Sequence, residues 1–347
     1  MKLETTASGG GLLRWQRRLG GGPWVAAWAV PLALMLFLLP EVTGAYGIRV
    51  AGTIMMYIAL AQAWNLIGGY VGLMSLAHSA FFGLGAIGMT IFLINGVPLL
   101  LAGLGGVALA VSAALVVGLP TLRLQGHYFV IATLIINEAL VNGFLNFSAF
   151  GFHGAISQNI IAEVGLMELD GAAYNRVFFY AMAVLAGVAM LIVMLFERSR
   201  WGLALKAIRD AEPAAAAIGI SVAGVKLGIF VVSAALAATA GAVWAAWLGT
   251  VDTTSAFDIT LTFEIIVMVF LGGRGTTWGP IIGVLIVFSL NEMIGVEFAE
   301  LSTIISGLIV VVVVLLQPDG LIELFRQGPR ALSLRVISAN LRRYQVK

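Results

Sequence analysis

Apolar residues run along this chain in stretches of about 20, the length that spans a bilayer core, and short polar breaks separate them from residue 24 to residue 317. Ten such stretches can be drawn, at 24–40, 48–67, 72–94, 97–119, 126–147, 174–196, 222–248, 259–273, 278–294 and 301–317. Trp24–Leu39 and Leu301–Leu316 contain no charge at all. The pattern predicts an all-α, polytopic membrane helix bundle of about ten transmembrane helices with a short cytoplasmic helix. The eighth stretch is short for a full crossing, so it is expected to be tilted, broken or partly re-entrant. Small residues recur at helical spacing within the stretches: Ala234, Ala238, Ala242 and Ala246 with Ala237, Gly241 and Ala245 beside them, Ser75, Ser79 and Gly83, and Gly279 with Gly283. Such positions let helix backbones approach closely in a membrane.

Composition agrees with the pattern. Of 347 residues, 61% are hydrophobic and 10% charged, whereas a soluble domain carries about 25% charged residues. The placement of charge matters more than the net value of +2. With the N-terminus in the cytoplasm and the spans alternating, 17 of the 19 Lys and Arg fall on the cytoplasmic side, leaving only Arg49 and Arg176 outside. Both termini are then cytoplasmic, with a basic arm at 1–23, a transmembrane domain at 24–317 and a basic tail at 318–347. Arg14, Arg17 and Arg18 ahead of an apolar run, with small residues at Thr43–Ala45, have the look of a signal peptide. The length of the leading region and Pro31 favour an uncleaved first span instead.

The absence of cysteine excludes disulfides and thiolate metal sites. Three histidines, at 78, 127 and 153, are too scattered for a metal centre. No cofactor and no nucleic-acid partner is expected. A phosphate-binding Gly-x-x-x-x-Gly-Lys-Ser/Thr loop is missing.

The longest internal cytoplasmic connection, residues 197–219, reads as a helix–turn–helix unit. Asp210 is expected to cap the second short helix, with Glu212 and Pro213 in its first turn and Gly219 just past its end. A helix this short is marginal alone and needs a surface to rest on. Its alanine face is poorly suited to lipid headgroups, which favour bulky apolar side chains.

Arg209, Asp210, Glu212, Ala214, Ala215 and Gly219 resemble the ATPase-coupling motif of bacterial ABC-importer permeases, at the spacing found in branched-chain amino-acid permeases. Three further segments follow the same family. Asn65-Leu-Ile-Gly-Gly-Tyr-Val-Gly-Leu-Met-Ser-Leu-Ala-His-Ser-Ala-Phe-Phe-Gly-Leu-Gly-Ala86 resembles its glycine-rich segment between the second and third helices. Pro120-Thr-Leu-Arg-Leu-Gln-Gly-His-Tyr-Phe-Val-Ile-Ala-Thr-Leu134 resembles the mark of the longer permease, the type usually called LivM. Leu271-Gly-Gly-Arg-Gly-Thr-Thr-Trp-Gly-Pro280 resembles the late glycine-rich turn. The chain departs from the family at Phe150–Gly154 and at Gln125 and His127. The resemblance implies a bacterial inner-membrane subunit that pairs with a second, different permease, two ATPase subunits and an extracytoplasmic solute-binding protein. It implies inward transport of branched-chain or related amino acids by alternating access, with amides or urea as alternative solutes.

Ionisable and polar groups inside spans are costly and commonly functional. Asn137 and Glu138 in the fifth stretch, and Asn65, Ser75 and His78 around the glycine-rich turn, are the candidate lining of a translocation path. His78 has a plain alternative as a neutral histidine bonded to a backbone carbonyl, and Glu138 as a protonated interhelical bond. Glu264 is expected to reach the interface. An ion-coupled secondary transporter is a rival reading, but its inverted repeats are not evident here. An intramembrane enzyme using Ser75 and His78 would need an activated nucleophile and an oxyanion site, and no motif for them surrounds Ser75.

Overall fold

The computed structural model of the protein describes residues 44–124, 126–154, 158–162, 164, 170–297 and 321. The first and last expected spans, the basic arm, Gln125 and the tail apart from Leu321 lie outside the described residues. The chain divides into two units after Val50. Described residues of the first unit only begin helix α1 (Ala45–Trp64); everything below concerns the second.

From α1 the chain runs into a π-helical segment, Asn65–Val71. Then follow α2 (His78–Ile94), α3 (Leu99–Thr121), α4 (His127–Leu145), α5 (Gly171–Arg198), α6 (Arg200–Asp210), α7 (Glu212–Ala217), α8 (Val222–Leu248), α9 (Thr253–Ala256), α10 (Ile259–Gly272) and α11 (Gly279–Glu297). Four two-residue strands pair antiparallel: β1 (Ser148–Ala149) with β2 (Phe152–His153), and β3 (Gln158–Asn159) with β4 (Thr250–Val251). Six helical stretches among the described residues are long and apolar enough to cross a membrane, with α2 and the start of α11 as shorter apolar helices. The protein is a polytopic helical membrane protein, and the expected spans within the described residues are helical over most of their length. The eighth is a single uninterrupted helix, α10, and the break at Phe257 and Asp258 lies just before it, separating it from α9.

The third expected span, 72–94, needs correction. Its first six residues are not helical, and α2 starts only at His78. Gly72 closes the π-helical segment in the left-handed region (φ 83°), which a side chain would resist, and Ser75 Oγ accepts the Ala77 N–H at 3.3 Å, diverting it from a helical bond. Ser79 Oγ then donates to Asn137 Oδ1 at 3.0 Å. Asn137 stands ten residues into α4, about 15 Å along its axis, so α2 begins deep in the bundle. Irregular backbone at such depth must be satisfied by protein. Trp64 Nε1 donates to Ser75 O (2.9 Å), while Thr133 Oγ1 and Thr262 Oγ1 accept the N–H groups of Leu76 (3.0 Å) and Ser79 (2.8 Å).

Around this break α2, α3 and α8 pack most closely. The expected alanine stripes of α8 are buried on both sides. At Gly85 of α2 any Cβ would collide with the Ala238 carbonyl of α8, so the crossing requires glycine. Phe81, Phe129 and Phe230 fill the centre, with Phe81 edge-on to Phe230 at 5.2 Å. At the far end of α8, Ile160 N bonds Gly249 O and Thr253 Oγ1 bonds Gly154 O, both at 2.8 Å, tying the strands to the bundle. The divergent segment Phe150–Gly154 supplies the turn and the second strand of the β1–β2 hairpin there.

Candidate functional site

The helix–turn–helix unit is present as α6 and α7. Ser199, not anticipated as a cap, accepts the Gly202 N–H at 3.3 Å and starts α6. Gly202, Leu205 and Ile208 turn inward, leaving Trp201 and Leu203 exposed. Asp210 is the last residue of α6 and does not cap α7. The cap position is Ala211, without a side-chain bond, because the chain leaves α6 in an extended conformation one residue later than expected. Glu212 and Pro213 do occupy the first turn. At the other end Ile220 N bonds Ala215 O (3.1 Å) and Gly219 N bonds Ala216 O (3.0 Å), the paired bonds that a left-handed glycine allows. Gly219 has φ 87° and open space around it. Ala215 is buried against the chain's own bundle, whereas Ala214, Ala216, Ala217 and Ile218 face outward.

Arg209 connects this unit to the glycine-rich segments. Its stem lies over Gly72 and its Nη1 donates to Gly69 O at 3.1 Å, close to Gly275. The bridge to Asp210 is long, at 3.6 Å, and largely solvated. Asn65 fixes the same place from within: Nδ2 donates to Thr276 O (2.9 Å) and Oδ1 accepts from Gly275 N (2.8 Å). Gln62 Nε2 donates to Thr277 O (2.7 Å), and Thr277 Oγ1 donates to Glu197 Oε2 (2.5 Å) at the end of α5. Asn65 therefore belongs to a clamp between the π-helical segment and the 273–278 turn. Gln62 escaped the sequence reading, although it shares a helix face with Asn65 three residues on, and Glu197 and Thr277 were read only as members of their segments.

The other candidates separate. Ser75 supports its own loop. His78 Nε2 lies 2.8 Å from Ser233 Oγ, and that hydroxyl donates to Ala63 O at 2.7 Å, so the imidazole donates through Nε2–H. His78 thus bonds a serine hydroxyl, which in turn bonds a backbone carbonyl, rather than the carbonyl itself. Ser75 and His78 bond different partners and form no dyad. Asn137 points inward, donating to Phe257 O at 3.2 Å while accepting from Ser79. Glu138, its neighbour, points outward on an exposed stripe with Tyr128, Ile131, Ile135 and Asn142. Only 17% of the α4 span is buried within the chain, against 67% for α8. Glu264, expected at the interface, is instead half-buried and accepts a short hydrogen bond from Tyr57 of α1. Glu212 also has an unanticipated partner, Lys226 of α8, at 2.6 Å.

Comparison with known proteins places these segments in context. The family model described as branched-chain amino acid transport system / permease component matches residues 47–314. The high-affinity branched-chain amino acid transport system permease protein LivM of Escherichia coli is 30% identical over 312 residues, 80% of this chain and 70% of that one. A probable branched-chain amino acid transport permease protein LivM of Methanocaldococcus jannaschii is 25% identical over 248 residues, covering 64% and 70% of the two chains. The fructose import permease protein FrcC of Rhizobium meliloti is 26% identical over 167 residues, 46% of each. No solved structure matches significantly. A polytopic bundle with the α6–α7 unit, and a family match over most of its length, make this chain a transport subunit rather than an enzyme: it belongs to the branched-chain amino acid permease family of ABC importers.

Proposed function

We propose that the protein carries branched-chain or closely related amino acids into the cytoplasm, as one of two different permeases driven by separate ATPase subunits and fed by an extracytoplasmic binding protein. The carrying observation is the α6–α7 unit. Its outer face (Ala214, Ala216, Ala217, Ile218) is apolar and uncharged, small but for Ile218, while its inner side is bonded through Arg209 to the broken segments of the bundle. A push on such a unit reaches the π-helical segment and the 273–278 turn directly. Alternating access follows if ATP binding favours one of two arrangements of those elements. The exposed α4 stripe with Glu138 and Asn142 is assigned to the second permease and to the path between the two, because a carboxylate facing lipid at mid-helix costs about 2.5–3.5 kcal/mol.

The test is uptake of radiolabelled leucine, isoleucine or valine by liposomes containing the assembled transporter and its loaded binding protein. Uptake is expected to require ATP with the ATPase subunits and to persist with ion gradients collapsed. Uptake driven by an ion gradient without ATPase subunits would replace this reading with a secondary transporter. Transport of amides or urea in preference to all three amino acids would replace the solute alone.

A further inference from the structure

Lys226 sits in the first turns of α8 with 2% of its side chain exposed, and its Nζ donates to Glu212 Oε2 at 2.6 Å. Glu212 belongs to α7 and is 37% exposed. A loop lysine would serve the charge asymmetry equally well, and an apolar residue would pack the site without a buried charge. We propose that the Lys226–Glu212 pair is the link through which displacement of α7 is passed to α8, and through α8 to the buried start of α2; this rests on the reading of α6–α7 as the ATPase contact.

Two observations make the pair a link as well as a staple. The first is that α7 has only six residues, too short to transmit force as an independent rod, so what it does to the bundle depends on its anchors. Ala215 supplies an apolar one, and the ion pair is the directional one. The second is the face of α8 that the lysine occupies. Ser233 follows seven residues later, two turns on and on the same side. Its hydroxyl bonds both Ala63 O at the end of α1 and His78 at the first residue of α2. One face of α8 is thus fastened to α7 near its beginning and, two turns deeper, to the point where α2 starts inside the bundle. Lys226 is a positioning residue: it touches no solute and acts through Glu212 and α8.

The experiment uses the complete transporter in liposomes and reads solute imported per ATP hydrolysed. Lys226→Met keeps an unbranched side chain one atom shorter and removes the charge. It is expected to lower that ratio about tenfold, within the range of coupling between linked sites, and to abolish stimulation of ATP hydrolysis by the loaded binding protein. A purely structural lysine would reduce assembly and both activities together and leave the ratio unchanged; an unchanged ratio overturns the link. Should Lys226→Met fail to assemble, the double variant Lys226→Met with Glu212→Leu, which leaves no unpaired buried charge, decides the matter. A lowered ratio in it supports the link, while an unchanged ratio or failed assembly overturns it. A cysteine at exposed Ala217, joined to the ATPase by a short crosslinker, separates this idea from its premise. No crosslink with Lys226 intact defeats the ATPase contact itself, whereas a crosslink with an unchanged ratio defeats the link alone.

Discussion

Asn137 and Glu138 are sequence neighbours with opposite fates. Successive helix residues are turned by about 100°, and here that turn separates an asparagine bonded to α2 and to the loop before α10 from a glutamate facing out of the chain. The first is a structural tie, and the second is left uncovered by this chain. We expect Glu138→Gln to leave the complex assembled while lowering uptake about tenfold, the signature of a group that acts beyond ground-state packing. Uptake and kinetics indistinguishable from the unaltered protein would remove the carboxylate from the path. Failed assembly would move Glu138 to the subunit interface alone.

Between elements, the decisive junction is the one joining the π-helical segment to the 273–278 turn. Asn65 satisfies a carbonyl and an N–H of that turn at once, and Gly69 has no room for a side chain because Asn65 Oδ1 and Gly275 N crowd it. Removing the amide leaves Gly275 N–H without its partner, a loss of about 1–3 kcal/mol for a buried donor. Asn65→Ala should therefore lower the melting temperature of the purified complex, and Asn65→Asp, which keeps the acceptor but sets a buried carboxylate oxygen against Thr276 O, should lower it as well. Equal melting temperatures for all three chains would show that the clamp carries no stability. The glycine-rich motifs marked both partners of this junction in the sequence, but they did not mark Asn65 as what holds them together. A buried amide and a path-lining amide look alike along a chain.

The bundle has two polar ends, and α8 separates them by about 40 Å, the length of its 27 residues. One end carries α6, α7 and the 273–278 turn; the other carries the paired strands and α9. The basic residues around α6 predict that the first end is cytoplasmic. As the chain lacks cysteine, single cysteines at Ile218 and Ile161, both exposed, should react with an impermeant maleimide only from the inside and only from the outside respectively. Labelling of both from one side would defeat that topology. The membrane class, the approximate spans and the α6–α7 unit were legible in the sequence because their causes are local: apolar runs of bilayer length, a proline in a first turn, a glycine after a last one. The break before α2, the burial of Lys226 on Glu212 and the outward turn of Glu138 were decided only by tertiary structure. Each depends on a residue far away in the chain that accepts a hydrogen bond, shares a charge or leaves a face uncovered, and no local pattern records such a partner.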